Sequence, residues 1–266
     1  MSASDRHDTW ASGAAYDAFM GRLSRPVARE FIAWLDVTPG SRWLDVGCGT
    51  GALSQTVLDT ASPEEVCGVD LSTSFVEYAR ENVGGPRARF EVADAQSLPF
   101  PDTSFDAIVS GLVLNFIPQP EKAVAEMARA AKPGGTVAVY VWDYAEGMQA
   151  LRYFWDAVTA LDPAAIELDE GRSRFSICKP EPLATLFRDA GLAEVETRPV
   201  DSVFRFRDFD EYWEPFLGGT GPAAGYAASL DEVRRDALRG RIKESIPGSS
   251  GPFELTNRAW AVRGMA

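Results

Sequence analysis

Residues 42–51, RWLDVGCGTG, carry the sequence pattern that most strongly indicates the fold. The largely apolar run 43–46 leads into a turn with glycine at positions 47, 49 and 51, and a helical pattern follows. This order predicts a strand, a tight turn and a helix. Because glycine accepts positive φ and carries no Cβ, the main chain can bend sharply there and approach a ligand closely. We therefore expect a nucleotide-like ligand at Gly47, Gly49 and Gly51.

Two acidic residues bear on which nucleotide is bound. Gly47, Gly49 and Ala52 also satisfy a loose dinucleotide-binding fingerprint, so the glycine turn alone does not decide. Asp70 ends a second predicted strand roughly 20 positions later, where either ligand needs a carboxylate for its ribose hydroxyls. Asp45 precedes the first glycine, and a carboxylate there repels a pyrophosphate but attracts an ammonium or sulfonium group. The sequence therefore favours a cationic nucleoside over a dinucleotide.

Three motifs together carry a family resemblance. LDVGCGTG (44–51), VDLS (69–72) and FEVADAQSLPFPDTSFDAIVS (90–110) resemble the class I S-adenosylmethionine-dependent methyltransferases, in the small-molecule branch that includes enzymes of the ubiquinone and menaquinone type. The resemblance covers about 43–142. It implies an α/β, doubly wound, seven-stranded Rossmann-like sheet in the order 3-2-1-4-5-7-6, with an antiparallel last strand, an N-terminal helical lid and inserted cap helices. It also implies S-adenosyl-L-methionine as cofactor.

The resemblance also assigns cofactor-binding residues. Asp94 would bind the adenine amino group and the backbone at Ala95 would contact the ring, although a capping role for Asp94 is an alternative. Tyr16 lies where a lid tyrosine is often found, with plain helix packing as the alternative. The complete implied set is Tyr16, Asp45, Gly47, Gly49, Gly51, Asp70, Leu71, Asp94, Ala95 and Ser110.

Strands and helices are predicted to alternate, which favours a parallel, doubly wound sheet in a single domain over 1–266. We expect a disordered tail over 1–12, a helical lid over 13–40, a cofactor-binding core over 41–142 and a substrate-side half over 143–266. Cap insertions are expected near 147–170 and 207–247.

After the first strand, the predicted helices are 52–59, 73–82, 121–131, 180–190 and 229–245. The predicted later strands end at Asp70 and cover 89–93, 105–110, 136–142, 194–199 with 203–206, and 253–262. The segment 218–222 is either a mobile loop or a plain connection.

Composition limits the partners. The 266 residues carry 26 basic and 39 acidic side chains, a net charge of −13. Such a surface disfavours nucleic acid, whose binders present basic patches. No apolar run is long enough to span a membrane and the N-terminus lacks a signal-peptide core, so we expect a cytoplasmic protein. Cys48, Cys67 and Cys178 are isolated, which predicts buried thiols and no metal site.

The sequence contains no obvious catalytic base. His7 is the only histidine and lies in the expected tail, while Phe116 stands where many relatives of this branch carry histidine. Other candidates are Asn115, Asp143, Tyr144, Tyr153 and Tyr16, each more typical of a structural role. Our leading hypothesis is methyl transfer by proximity and orientation, with the catalytic residues unknown.

An aromatic-walled pocket is predicted for the methyl acceptor. Its candidate residues are Asn115, Trp142, Trp155 and Trp213, with ordinary core packing as the alternative. The acceptor is expected to be a small organic molecule whose identity the sequence does not give. Two other functions stay open: a cofactor-binding protein without turnover, and an NAD(P)-dependent oxidoreductase.

Overall fold

The computed structural model describes residues 22–218 and 221–266. The expected tail over 1–12, His7 and Tyr16 therefore lie outside the described residues, as does the whole segment 13–21. None of the helices in the described ranges has the length and hydropathy that a membrane span requires.

The described chain alternates strands with helices as the sequence predicts. The helices are α1 Arg22–Leu35, α2 Ala52–Thr60, α3 Thr73–Asn82, α4 Pro120–Ala130, α5 Gln149–Leu161, α6 Pro180–Asp189, α7 Phe209–Trp213, α8 Gly221–Ser229 and α9 Glu232–Ser245. The strands are β1 Arg42–Val46, β2 Glu65–Asp70, β3 Ala88–Val92, β4 Phe105–Gly111, β5 Ala131–Trp142, β6 Ala193–Phe206 and β7 Phe253–Met265. Short 3₁₀ helices cover Leu114–Phe116, Pro163–Leu168 and Glu214–Leu217, and Glu170–Arg174 forms one π-helical turn.

The seven strands form one sheet in the order β3-β2-β1-β4-β5-β7-β6. Strands β1 to β5 pair in parallel, and β7 runs antiparallel to β5, with Val139 opposite Val262. Both the sheet order and the antiparallel last strand are confirmed. Runs of buried residues in β1, β4 and β5 explain this arrangement, because a strand covered by helices on both faces must be apolar on both.

The order of strands also fixes where a ligand can bind. From β1 the chain continues outward through β2 to β3, and it then crosses back to β4 on the other side of β1. Connections leave the carboxyl ends of β1 and β4 in opposite directions, which opens a crevice between them. Asp45 is next to last in β1 and Ser110 is next to last in β4, so both stand at the carboxyl ends of these strands.

Several element boundaries differ from the predicted ones, for local reasons. β5 begins at Ala131 instead of 136, because Phe105 of β4 already pairs with Ala131 across a bulge. The helix predicted over 229–245 begins later, at Glu232, because the Asp231 side chain accepts a hydrogen bond from the Arg234 N–H and caps that start; Ser229 is the last residue of α8. In the segment 218–222, Gly221 already belongs to α8, while residues 219 and 220 are outside the described ranges.

The described residues form two compact units. The core unit comprises 22–143, 177–202 and 258–266, and the second unit comprises 144–176, 203–218 and 221–257. The cap insertions predicted near 147–170 and 207–247 fall within the ranges of the second unit. The single domain over 1–266 stays a prediction.

Candidate functional site

The glycine turn after β1 is shaped by close backbone approach. The Gly47 and Cys48 N–H groups donate to the Val69 carbonyl of β2 at 2.7 and 2.9 Å. Gly47 has φ of 73°, and a Cβ added there would lie 2.5 Å from Val113 Cγ1. Gly49 also has positive φ, 52°, but a Cβ there would meet nothing within 4 Å. Glycine is therefore required at 47 by packing and conformation together, and at 49 by conformation alone.

Asp70 joins the end of β2 to this turn. Its Oδ2 accepts from the Gly49 N–H at 2.9 Å, and its Oδ1 accepts from the Ser72 N–H at 2.8 Å. Burial raises the pKa of Asp70, and these backbone hydrogen bonds act against that rise. Since each carboxylate oxygen has two lone pairs, both oxygens keep acceptor capacity for ribose hydroxyls. The predicted ligand contact is thus combined with a structural role that the sequence did not indicate.

Asp45 is the most enclosed acid in the core unit. It is 1% exposed, and its Oδ2 accepts a hydrogen bond of 2.7 Å from the Ser54 hydroxyl in the first turn of α2. Its Oδ1 is buried without a partner among the described residues. Burial raises the pKa of Asp45 to about 7, although the hydrogen bonds from Ser54 lower it. Because this pKa lies near neutral pH, a cation bound beside the carboxyl group would favour its ionised form.

The role of Ser54 as a partner of Asp45 was not predicted from the sequence. It is 0% exposed, and its hydroxyl is the side-chain donor that holds Asp45. The available signal was a small polar residue on the otherwise apolar face of a helix that starts at the glycine turn.

Asp94 lies just beyond β3 and forms a local turn. Its Oδ1 accepts from the Gln96 backbone N–H at 2.9 Å, and the Gln96 side chain donates to it at 3.1 Å. These hydrogen bonds lower the pKa of Asp94, so the group is anionic at neutral pH. Ala95 is half-buried beside it, and Leu71 after β2 is 72% exposed. The capping alternative and the predicted adenine contact are therefore compatible.

At the end of β4 and just after it, two buried polar side chains have no hydrogen-bond partner among the described residues. Ser110 is 1% exposed and its Oγ is buried with no hydrogen bond to any described residue. Asn115 belongs to the 3₁₀ helix Leu114–Phe116, and both its Oδ1 and Nδ2 are buried and unpartnered within the described ranges. Together with Asp45 Oδ1, these atoms place unmatched polar groups at the carboxyl ends of β1 and β4.

The three tryptophans predicted for the acceptor pocket lie in different units. Trp142 ends β5 in the core unit, is 1% exposed and pairs with Ala259 of β7. Trp155 and Trp213 belong to the second unit, where each is buried. Trp155 packs edge-on against Phe154, and Trp213 stacks with Phe209. These contacts account for their burial by packing, and a role toward the acceptor stays a prediction.

The second unit contains a buried ionic cluster that the sequence did not indicate. Arg152 donates to Asp169 Oδ2 at 2.8 Å, and the Trp155 indole N–H donates to Glu170 Oε2 at 2.5 Å. Glu170 is 5% exposed, and burial raises its pKa to about 7. Asp169 and Glu170 lie in the charged run LDEGRSR, which typically predicts a solvated surface. Their hydrogen bonds to Arg152 and Trp155 of α5 accompany this burial.

The remaining base candidates have structural surroundings. Asp143 is 5% exposed, and its N–H donates to the Arg258 carbonyl. Tyr144 packs against Phe175 with ring centroids 4.8 Å apart. Phe116 is 39% exposed.

Comparison with known proteins gives consistent results. A family model described as a methyltransferase domain matches residues 44–139. An uncharacterized 37.1 kDa protein in transposon Tn4556 of Streptomyces fradiae is 33% identical over 180 residues, 64% of this chain and 49% of that protein. The demethylmenaquinone methyltransferase of Symbiobacterium thermophilum is 37% identical over 114 residues, 40% of this chain and 45% of that enzyme. The chain thus spans about half the length of these curated relatives.

Solved structures share the whole fold. A chain from a complex with the Haloferax volcanii Trm112 methyltransferase activator is 25% identical, has a TM-score of 0.60, and is aligned over 100% of this chain and 99% of its own length. A Haemonchus contortus phosphoethanolamine N-methyltransferase, in complex with S-adenosyl-L-methionine, is 19% identical with a TM-score of 0.54 and covers 90% of this chain and 51% of its own. The second likeness concerns the fold alone.

Proposed function

We propose that this protein transfers a methyl group from S-adenosyl-L-methionine to a small organic acceptor, since residues 44–139 match a family model described as a methyltransferase domain. The observation that carries the proposal is the buried Asp45 carboxyl group at the glycine turn, with Oδ1 left for a ligand. A negative charge there favours a sulfonium or ammonium group and opposes a pyrophosphate. It thus speaks for this cofactor against a nicotinamide dinucleotide.

The residues of the core unit fit S-adenosylmethionine. At Gly47 the missing Cβ lets the turn pack against Val113, and at Gly49 nothing lies within 4 Å of the Cβ position, which leaves that part of the turn open to a ligand. We assign the ribose hydroxyls to Asp70, the adenine amino group to Asp94 and the adenine face to the exposed Leu71. Asp45 attracts the cationic end. These assignments follow the carboxyl ends of β1, β2 and β3 in their order in the sheet.

The chain's own contribution to the chemistry is binding and orientation. S-adenosylmethionine supplies, when bound, a methyl group on a positively charged sulfur that is its own leaving group. The protein must align the acceptor atom about 3–3.5 Å from the carbon it attacks and exclude water, which contributes several kcal/mol. A general base is needed only if the acceptor must lose a proton, and we propose none for this chain.

Two observations support a small acceptor. The net charge of −13 opposes binding of nucleic acid. The relative from Symbiobacterium thermophilum is, by its name, a methyltransferase of demethylmenaquinone, a small organic molecule.

The cytoplasmic location also stays a prediction.

Calorimetric titration tests the cofactor. We expect micromolar binding of S-adenosylmethionine and S-adenosylhomocysteine, about −8 kcal/mol, and none of NADH. Binding of NADH without either sulfur compound would favour the oxidoreductase instead.

A transfer assay tests the acceptor class. The purified protein is incubated with methyl-labelled S-adenosylmethionine and a cell extract separated into small-molecule, RNA and protein fractions. We expect label in the small-molecule fraction. Label confined to RNA or protein would contradict the proposal, and binding without any transfer would favour a cofactor-binding protein without turnover.

A further inference from the structure

The Asn115 carboxamide is an unexplained polar group that lies just beyond the end of β4. Both Oδ1 and Nδ2 are buried, and neither has a hydrogen-bond partner among the described residues. A buried donor or acceptor without a partner costs about 1–3 kcal/mol, and here one side chain carries both. Such a group needs a ligand that supplies a donor and an acceptor side by side.

The backbone around Asn115 holds the carboxamide in place. The Leu112 N–H donates to the Tyr140 carbonyl of β5 at 2.8 Å, and the Phe116 N–H donates to the Val113 carbonyl at 2.8 Å. The Val113 side chain fills the space that a Cβ at Gly47 would need. The 3₁₀ helix is therefore anchored on one side to β5 and on the other to the glycine turn.

The order of the strands indicates which part of the cofactor lies near Asn115. Asp94 follows β3 and Asp70 ends β2, so the proposed adenine and ribose contacts lie at the outer part of the sheet. The remaining part of S-adenosylmethionine must then extend toward β1 and β4. This part ends in an amino acid, whose ammonium is a donor and whose carboxylate is an acceptor.

We propose that the Asn115 carboxamide binds the amino-acid end of S-adenosylmethionine, with Oδ1 accepting from the ammonium group and Nδ2 donating to the carboxylate. Asn115 is then a positioning residue that fixes the methionyl chain beside Asp45. The inference rests on the proposed function, since it takes S-adenosylmethionine as the ligand. It adds a side-chain contact that the three sequence motifs do not contain.

Titration of three ligands tests this role. S-adenosylmethionine and S-adenosylhomocysteine carry the amino acid, whereas 5′-methylthioadenosine retains the adenosyl part without it. For Asn115→Leu, we expect the Kd of the first two to rise about tenfold to a hundredfold, because hydrogen bonds to charged groups are lost. The Kd of 5′-methylthioadenosine should stay within about twofold of wild type, since that ligand makes no such bonds.

Two further variants complete the experiment. Asn115→Asp keeps the shape but replaces the donor by an oxygen that repels a carboxylate, so it should show the same selective loss even if Asn115→Leu does not fold. Gln119→Leu removes an exposed carboxamide four residues away and should leave all three affinities unchanged.

The outcomes separate the alternatives. Equal weakening of all three ligands would make Asn115 a structural residue, and unchanged affinity for all three would exclude it from the cofactor site. Either result overturns the inference. A wild-type protein that binds none of the ligands contradicts the cofactor assignment itself, irrespective of Asn115.

Discussion

Asp45 couples ligand binding to protonation at the residue scale. Burial raises the pKa of this carboxyl group to about 7 in the free protein, so it titrates near neutral pH. An ammonium group beside Oδ1 stabilises the ionised form. Binding of the cofactor must therefore release a proton whenever the pH lies below this pKa.

The pH dependence of S-adenosylhomocysteine binding measures this coupling. The Kd should rise about tenfold from pH 8 to pH 6, because binding competes with protonation of Asp45. Asp45→Asn should bind more weakly at pH 8 and lose most of the dependence. Calorimetry at several pH values gives both results. A wild-type curve that is flat over this range would remove the carboxylate from the cation site.

Asp70 should affect binding and stability together. Asp70→Ala removes an acceptor for the ribose and leaves the Gly49 and Ser72 N–H groups without their partner. We expect the Kd for S-adenosylmethionine to rise at least about tenfold and the free energy of unfolding to fall by about 1–3 kcal/mol. Titration and urea unfolding measure the two effects. Asp59→Ala, at an exposed position at the end of α2, is the control that should change neither.

At the scale of elements, the strand β1, the glycine turn and helix α2 could be predicted because the sequence pattern that specifies them is local. Apolar runs, glycines at required φ and a helical period are all contained within 42–60. The sheet order came from the resemblance of three motifs. The hydrogen bond from Ser54 to Asp45 and the isolation of Asn115 could not be predicted, since they depend on which distant atoms approach each side chain.

The glycine turn offers a matched pair of substitutions. Gly47→Ala should lower the free energy of unfolding by about 2–4 kcal/mol, from a Cβ 2.5 Å from Val113 and from positive φ. Gly49→Ala meets no neighbour and should lose only about 1–2 kcal/mol. Chemical denaturation compares them. Adding Val113→Ala should recover part of the loss in Gly47→Ala, and a complete absence of recovery would show that the clash is elsewhere.

At the scale of the whole molecule, the structure of the core unit could be predicted from the sequence more completely than that of the second unit. The core unit follows a regular alternation of strands and helices, and its cofactor residues stand at strand ends. In the second unit, the buried Asp169 and Glu170 accept hydrogen bonds from Arg152 and Trp155 of the preceding helix α5. A charged run has no pattern that predicts such burial, so this cluster emerged only from the structure.

The buried Glu170 should make global stability depend on pH. Its pKa is raised from 4.5 to about 7, so the folded state binds more protons than the unfolded state between these values. The free energy of unfolding must then fall as pH rises through that range. Glu170→Gln keeps an oxygen for the Trp155 N–H and removes the titration. We compare the free energy of unfolding of Glu170→Gln with that of wild type at each pH. The difference should shift in favour of the variant by about 1–3 kcal/mol between pH 5 and pH 8.

Urea unfolding of both proteins at pH 5 and pH 8 provides the measurement. Glu214→Gln, at an exposed position in the same unit, should behave like wild type at both values. If the difference between wild type and Glu170→Gln is the same at pH 5 and pH 8, Glu170 does not titrate in this range. Asp45 contributes a pH dependence of the same sign to both proteins, so the comparison between them cancels it.

The place of β7 in the sheet has a consequence for synthesis on the ribosome. β7 is the last of the seven described strands in chain order, yet it lies between β5 and β6 in the sheet. A nascent chain that has emerged only through β6 therefore presents the backbone of β5 as an open edge, and β6 has no neighbour to pair with. Open edges of this kind recruit other chains. Emergence of β7 from the ribosome thus closes the interval in which we expect the nascent chain to depend most on chaperones.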